Sequence, residues 1–176
     1  IETLLAAYPG HGILAEESGR EHGSRDSEFV WIIDPLDGTT NFLHGFPVYA
    51  VSIALAYRNQ VQQAVVYDPT RNDLFYASKG RGAFLNDRRM RVSGRREPAE
   101  MLIGMGVPHI GKGGHPLFLR ELGAVMTRFS NVRRLGCAAL DIAYVAAGRM
   151  DAYWERNLNT WDFAAGAVMI REAGGT

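Results

Sequence analysis

The sequence holds a single cysteine, Cys137, in 176 residues. An internal disulfide is therefore excluded, and an unpaired thiol suits a reducing compartment, so a cytoplasmic location is expected. No apolar run approaches the ~20 residues of a helical membrane span, and no charged-then-apolar leader opens the sequence. Net charge is missing too. The 19 Lys and Arg balance the 19 Asp and Glu, so no bulk field recruits nucleic acid or an anionic membrane. Lysine is scarce, with only Lys79 and Lys112, and the arginine excess reads as genomic composition. Internal repeats and low-complexity tracts are absent as well.

What is present fits a globular domain. Hydrophobic residues make up 47% and charged residues 22%, and residues 1–176 suffice for one domain with its own core. Ile1-Glu2-Thr3-Leu4-Leu5 starts inside an amphipathic pattern with no cap, and Gly174-Gly175-Thr176 follows an apolar helix directly. Both ends therefore read as cuts in a longer domain.

The pattern predicts strands over 12–15 and 29–33, then a meander of strands over 48–57, 61–67 and 73–78 with turns at Arg58-Asn59-Gln60 and 68–72. A hairpin is expected across Asn86-Asp87, with arms 80–85 and 90–93. Residues 19–27 read as a polar loop, and the Gly- and Pro-rich stretch 97–116 as irregular. Later segments alternate: helices over 117–129, 138–147 and 161–173, strands over 132–135 and 151–154. Strands first and alternation afterwards imply layered α and β structure.

One stretch carries most of the chemistry: Trp31-Ile32-Ile33-Asp34-Pro35-Leu36-Asp37-Gly38-Thr39-Thr40-Asn41-Phe42. An apolar run drives into Asp34, Pro35 ends the strand, and Asp37 supplies a second carboxylate. Residues three apart on a regular strand face opposite sides, so the turn must bring the two acids together. Two carboxylates and a free carbonyl such as that of Leu36 suit Mg²⁺, a hard cation. Without a cation the pair would repel. Asp-Pro-x-Asp-Gly is also a favoured turn sequence.

Gly38 and Thr39 offer N–H groups to a phosphate if a helical turn begins there, or Thr39 is a simple cap. Glu16 and Glu17 follow another apolar strand and either reach the same cation or form a solvated turn. Asp162 opens the last helix as a first-turn acid. The small Ala164-Ala165-Gly166 behind it would let that helix pack closely and draw Asp162 inward. Gly111-Lys112-Gly113-Gly114 lacks the full phosphate-loop pattern and reads as a flexible loop. Cys137 reads as a buried structural thiol, His44 as a packed or hydrogen-bonded residue, and Trp31, Trp154 and Trp161 as core aromatics.

Together these residues resemble the inositol monophosphatase family of Mg²⁺-dependent, lithium-sensitive phosphatases. The likeness rests on Glu16-Glu17-Ser18-Gly19, on the Trp31–Phe42 stretch, and on Trp161-Asp162-Phe163-Ala164-Ala165-Gly166. Gly82 to Asn86, Arg91-Val92-Ser93 and Leu135 to Asp141 are similar as well. The resemblance implies a layered α-β-α-β-α sandwich of the inositol monophosphatase and fructose-1,6-bisphosphatase type, assembled as a homodimer. It implies two or three Mg²⁺ ions held by Glu16, Asp34, Asp37, Asp162 and the Leu36 carbonyl. Glu16 and Thr39 would serve the attacking water, with Asp37, Gly38 and Thr39 on the phosphate, and Ala138 and Glu155 on the alcohol.

The implied reaction is hydrolysis of a small phosphate monoester, inositol monophosphate first, by a metal-activated water. Sugar, histidinol or nucleotide phosphates stay open as substrates. A non-catalytic RNA- or transcription-associated role stays open too, through Arg88-Arg89, Arg95-Arg96 and Arg133-Arg134. Cys137 stands where the family more usually has Ser or Thr.

Overall fold

The computed structural model describes residues 1–17, 22–24 and 26–176. Its larger sheet contains β1 (Gly12–Ala15), β2 (His22–Gly23), β3 (Phe29–Asp37), β4 (Ala50–Tyr57), β5 (Gln60–Asp68), β6 (Asp73–Ser78), β7 (Gly82–Leu85) and β8 (Arg88–Arg89). The strand order is β2-β1-β3-β4-β5-β6-β7-β8. Among the described residues of this sheet only β1 and β3 run parallel; the other neighbours pair antiparallel, and β4 to β6 form the expected meander. The smaller sheet is parallel, ordered β10 (Asn131–Arg133), β9 (Leu102–Met105), β11 (Ala152–Trp154). The helices are α1 (Glu2–Ala7), α2 (Thr39–Leu43), α3 (His115–Met126), α4 (Ala138–Ala146) and α5 (Thr160–Glu172).

Alternating burial along β3 separates two cores. Ile32 joins the core under α4 and α5, while its neighbour Ile33 faces the other way, toward Leu4 and Leu5 of α1. Helix α4 buries eight of its nine residues, because it lies between the two sheets and touches both. On the far side of the small sheet, Phe118 of α3 stacks on Trp154 of β11 with ring centroids 6.2 Å apart. The layers therefore run α1, large sheet, α4 and α5, small sheet, α3, as the resemblance implied.

Truncating a fully buried residue of the middle layer, such as Leu140 or Met169, would cost about 2–5 kcal/mol. Gly166 sets the spacing of that layer. A Cβ there would lie 2.3 Å from Ile142 Cγ2, so only glycine lets α5 approach α4 this closely.

Four expectations are corrected. Pro35 does not end the strand: β3 continues to Asp37 with a register shift, Asp34 facing Ser52 and Asp37 facing Ala50. The hairpin arm after Asn86-Asp87 is Arg88–Arg89, directly after a turn whose two residues have φ of 45° and 65°, the left-handed pair that suits a tight hairpin. The stretch 97–116 hides the central strand of the small sheet, β9. Helix α3 starts two residues early, at His115, with Pro116 in its first turn. The loop expected over 19–27 lies partly outside the described residues, as do Ser18 and Gly19; within it His22–Gly23 form β2.

Candidate active site

The bulge in β3 solves the geometric problem posed by two acids three residues apart. Between Asp34 and Asp37 two residues of β3, Pro35 and Leu36, oppose one of β4, Val51, so the extra residue restores parity and both acids fall on one face. Asp34 is 1% exposed, and its Oδ1 accepts the Leu36 N–H at 3.0 Å. Asp37 Oδ2 accepts the Ala139 N–H at 2.6 Å and the Cys137 S–H at 3.2 Å. Cys137 is thus buried, as expected, yet its partner is a site carboxylate brought from 100 residues away.

The chain then turns through Gly38, whose φ is 87°. A Cβ at Gly38 would sit 2.9 Å from the Val48 carbonyl oxygen, so both the conformation and the space require glycine. Helix α2 begins at Thr39, leaving first-turn N–H groups without helical acceptors beside Asp37. The Thr39 hydroxyl donates to the Leu36 carbonyl at 3.0 Å. Asn41 fastens the turn: its Nδ2 donates to the carbonyls of Val48 at 2.8 Å and Leu135 at 2.9 Å. That tie places α2 against the start of α4, a role the motif alone did not reveal.

Asp162 does two jobs. Its Oδ2 accepts the Asn159 N–H at 2.6 Å at the start of α5, the capping reading, and the close packing of α5 also brings it into the same cluster. Glu16, exposed just after β1, completes a set of four acids: its charge acts on Asp34 and Asp37, and that of Asp162 acts on Asp37 and Glu16. Desolvation raises Asp34 to about 8, with the charges of Asp37 and Glu16 adding to it. Desolvation likewise holds Asp37 at about 6 against the pull of the Ala139 N–H and the thiol. Glu16 and Asp162 are raised, again chiefly by desolvation. Among the described residues no three His, Cys, Asp or Glu side chains form a finished metal shell. The donor set nonetheless fits a hard cation: all oxygen, concentrated negative charge, and carboxyls whose affinity for protons is raised without one.

In front of this cluster lies a polar cavity of about 200 Å³. Asp37, Gly38, Thr39 and Asp162 line one side; Ala138 and Glu155, expected on the alcohol, line the other. Asp34, Leu36 and Glu16 stand outside the cavity lining. His44 is exposed after α2 and does not line the cavity either. Lining residues that sequence reasoning did not assign to the site include Asp141, Tyr153, Arg134 and Lys112. The loop around Lys112 is irregular as expected, but its ammonium draws down Glu16 and Asp162. Tyr153 donates its hydroxyl to Glu155 Oε2. Gly106 lets Glu155 take its place, since a Cβ there would lie 1.9 Å from the Glu155 carboxyl carbon.

A family model described as "Inositol monophosphatase family" matches residues 1–176. The chain belongs to the inositol monophosphatase family. Within it, an inositol-1-monophosphatase of Mesorhizobium japonicum is 56% identical over 98% of the chain and 64% of that protein. A protein of Pseudomonas aeruginosa named Nus factor SuhB is 49% identical over 99% of the chain and 66% of that protein. The crystal structure of the extragenic suppressor protein suhB from Bartonella henselae superposes with a TM-score of 0.94, at 53% identity. It covers 98% of the chain and 66% of that structure. The chain thus spans slightly less than two thirds of the length of these three relatives.

Proposed function

We propose that this chain carries the active site of a Mg²⁺-dependent phosphatase for small phosphate monoesters, with inositol monophosphate as the foremost substrate. The observation that carries the reading is the bulged end of β3, which turns Asp34 and Asp37 to one face beside Asp162 and Glu16. Glu16, Asp34, Asp37, Asp162 and the Leu36 carbonyl would hold Mg²⁺. A bound Mg²⁺ would supply Lewis acidity toward the phosphate and toward water.

The chain's own groups do the rest. First-turn N–H groups of α2 meet phosphate oxygens, as a helix start favours anions. Lys112 and Arg134, both lining the cavity, add positive charge against the doubly charged ester. The Ala139 N–H and the Cys137 thiol fix Asp37 in one rotamer. The Thr39 hydroxyl would help orient the attacking water and the Glu16 carboxylate would take its proton, and Ala138 and Glu155 would meet the alcohol. The attack is an in-line displacement at phosphorus: the water oxygen bonds to phosphorus as the ester P–O bond breaks, the leaving oxygen gains a proton from solvent to balance the one taken from water, and no covalent enzyme intermediate is required.

The test is phosphate release from myo-inositol 1-phosphate, histidinol phosphate, fructose 1,6-bisphosphate and a 3′-phosphonucleotide, with Mg²⁺ and with added Li⁺. Lithium-inhibited turnover that prefers the inositol ester supports the reading. Preference for histidinol phosphate would move the substrate, and no Mg²⁺-dependent release from any ester would end it. A homodimer in the cytoplasm is part of this proposal.

A second reading follows the name of the Pseudomonas relative. Arg88, Arg89, Arg133 and Arg134 are exposed and offer contacts to RNA or transcription proteins. A catalytically dead variant that still binds such a partner would support this role.

A further inference from the structure

The cavity wall contains an acid that the reaction above does not use. Asp141 is 1% exposed, yet it lines the cavity, and its Oδ1 has no hydrogen-bond partner. A buried carboxyl oxygen left unmet is costly, so its position calls for a donor arriving from the cavity. Asp141 lies three residues after Ala138 on α4, and residues at that spacing share a helix face. Ala138 presents only a methyl group, so whatever rests on it reaches the next turn, where Asp141 stands. Glu155 lies close enough for its charge to act on Asp141, and so does the Arg134 guanidinium.

We propose that Asp141 Oδ1 is the hydrogen-bonding site for a hydroxyl group on the alcohol half of the ester, so that Asp141 and Glu155 together select polyol phosphates. The proposal rests on the phosphatase reading and names a specificity residue within it. A hydroxyl is the matching group because it both donates and accepts. It satisfies Asp141 whether the carboxyl is ionised or protonated. Burial, with the charges of Asp37 and Glu155, raises the group above the usual carboxylate range. An ester without hydroxyls leaves the oxygen as unmet as it is in the free protein and gains nothing from it.

The experiment compares Asp141→Ala and Asp141→Asn with the wild type in the full-length protein with Mg²⁺. The substrates are myo-inositol 1-phosphate and 4-nitrophenyl phosphate, which has no hydroxyl. The alanine variant is expected to raise KM for the inositol ester about tenfold. Its turnover of the nitrophenyl ester stays within about twofold of wild type. The asparagine variant, which keeps a donor and an acceptor, recovers most of the loss. Equal losses on both esters would overturn the proposal, since Asp141 would then act through Asp37 or through the fold. No loss on either ester, or an asparagine variant as poor as alanine, would also overturn it. A wild-type protein that hydrolyses neither ester removes the phosphatase reading, and this assignment with it.

Discussion

The two walls of the cavity are built by opposite means. The wall at the end of β3 is continuous chain: Asp34 to Asn41 supply two acids, a forced turn and a helix start within eight residues. The facing wall is gathered from β9 and the loop after it, the first turn of α4, and the end of β11. The continuous wall is held by a bulge, a left-handed glycine and the Asn41 tie. The gathered wall depends on layer packing, and its side chains are the ones that would meet the variable part of a substrate. On the proposed reading, chemistry falls on the continuous wall and selectivity on the gathered one.

Substitutions that hit one wall and spare the other sharpen this contrast. The largest effect is expected for Asp37→Asn. It should lower kcat by about 10³-fold on every phosphate ester alike, the order seen when a key charge-stabilising group is lost, while far-UV circular dichroism stays native. Selective loss on inositol esters would break the contrast.

Gly38→Ala comes next. It forces a side chain into a left-handed backbone beside the Val48 carbonyl, which costs about 2 kcal/mol and lowers Tm by about 5 °C. Activity toward all esters should fall with it, as thermal melting and an ester panel would show.

A pH effect of similar or smaller size should appear in the metal-free protein. Asp34 and Asp37 have folded pKa values of about 8 and about 6, raised chiefly by desolvation. A carboxyl raised on folding stabilises the fold below its unfolded pKa, and that contribution is lost as pH climbs through the folded value. Tm of the metal-free protein should therefore fall between pH 5 and pH 8 by a few °C, and Mg²⁺ should restore it most at the alkaline end. An Asp34→Asn variant should flatten the profile.

The smallest effect belongs to the gathered wall. Gly106→Ala displaces the flexible Glu155 side chain rather than backbone. KM for a polyol phosphate should then rise about threefold with Tm unchanged. A collapse of kcat on all esters would show that the two walls are not separable.

The same contrast explains what could be read from the chain before it was folded. Asp34, Asp37 and Asn41 sit in one stretch, and the small residues behind Asp162 announced the close approach that Gly166 provides. The bulge itself was misread as a strand end, because Pro35 lacks an N–H and sequence alone does not show that β4 continues opposite it. Strand β9 was hidden because Gly104 interrupts its apolar run, and its pairing with β10 and β11 is wholly non-local. Asp141 and Tyr153 gave no local signal, since each acquires meaning only once α4 and β11 face the same cavity. Lys112 sat in a loop correctly read as irregular, and only the fold aims its charge at the acids. Cys137 looked inert for the same reason: its partner lies across the layer.

The claim at the centre is that the bulged end of β3 with Glu16 and Asp162 holds a divalent cation. Calorimetric titration of Mg²⁺ into metal-free protein near pH 7, in buffers of different ionisation enthalpy, tests it most directly. The account predicts saturable binding with proton release, because the cation displaces protons held by raised carboxyls, and loss of that binding in Asp34→Asn. Absence of Mg²⁺ binding in the wild type, or an unchanged isotherm in Asp34→Asn, would contradict it.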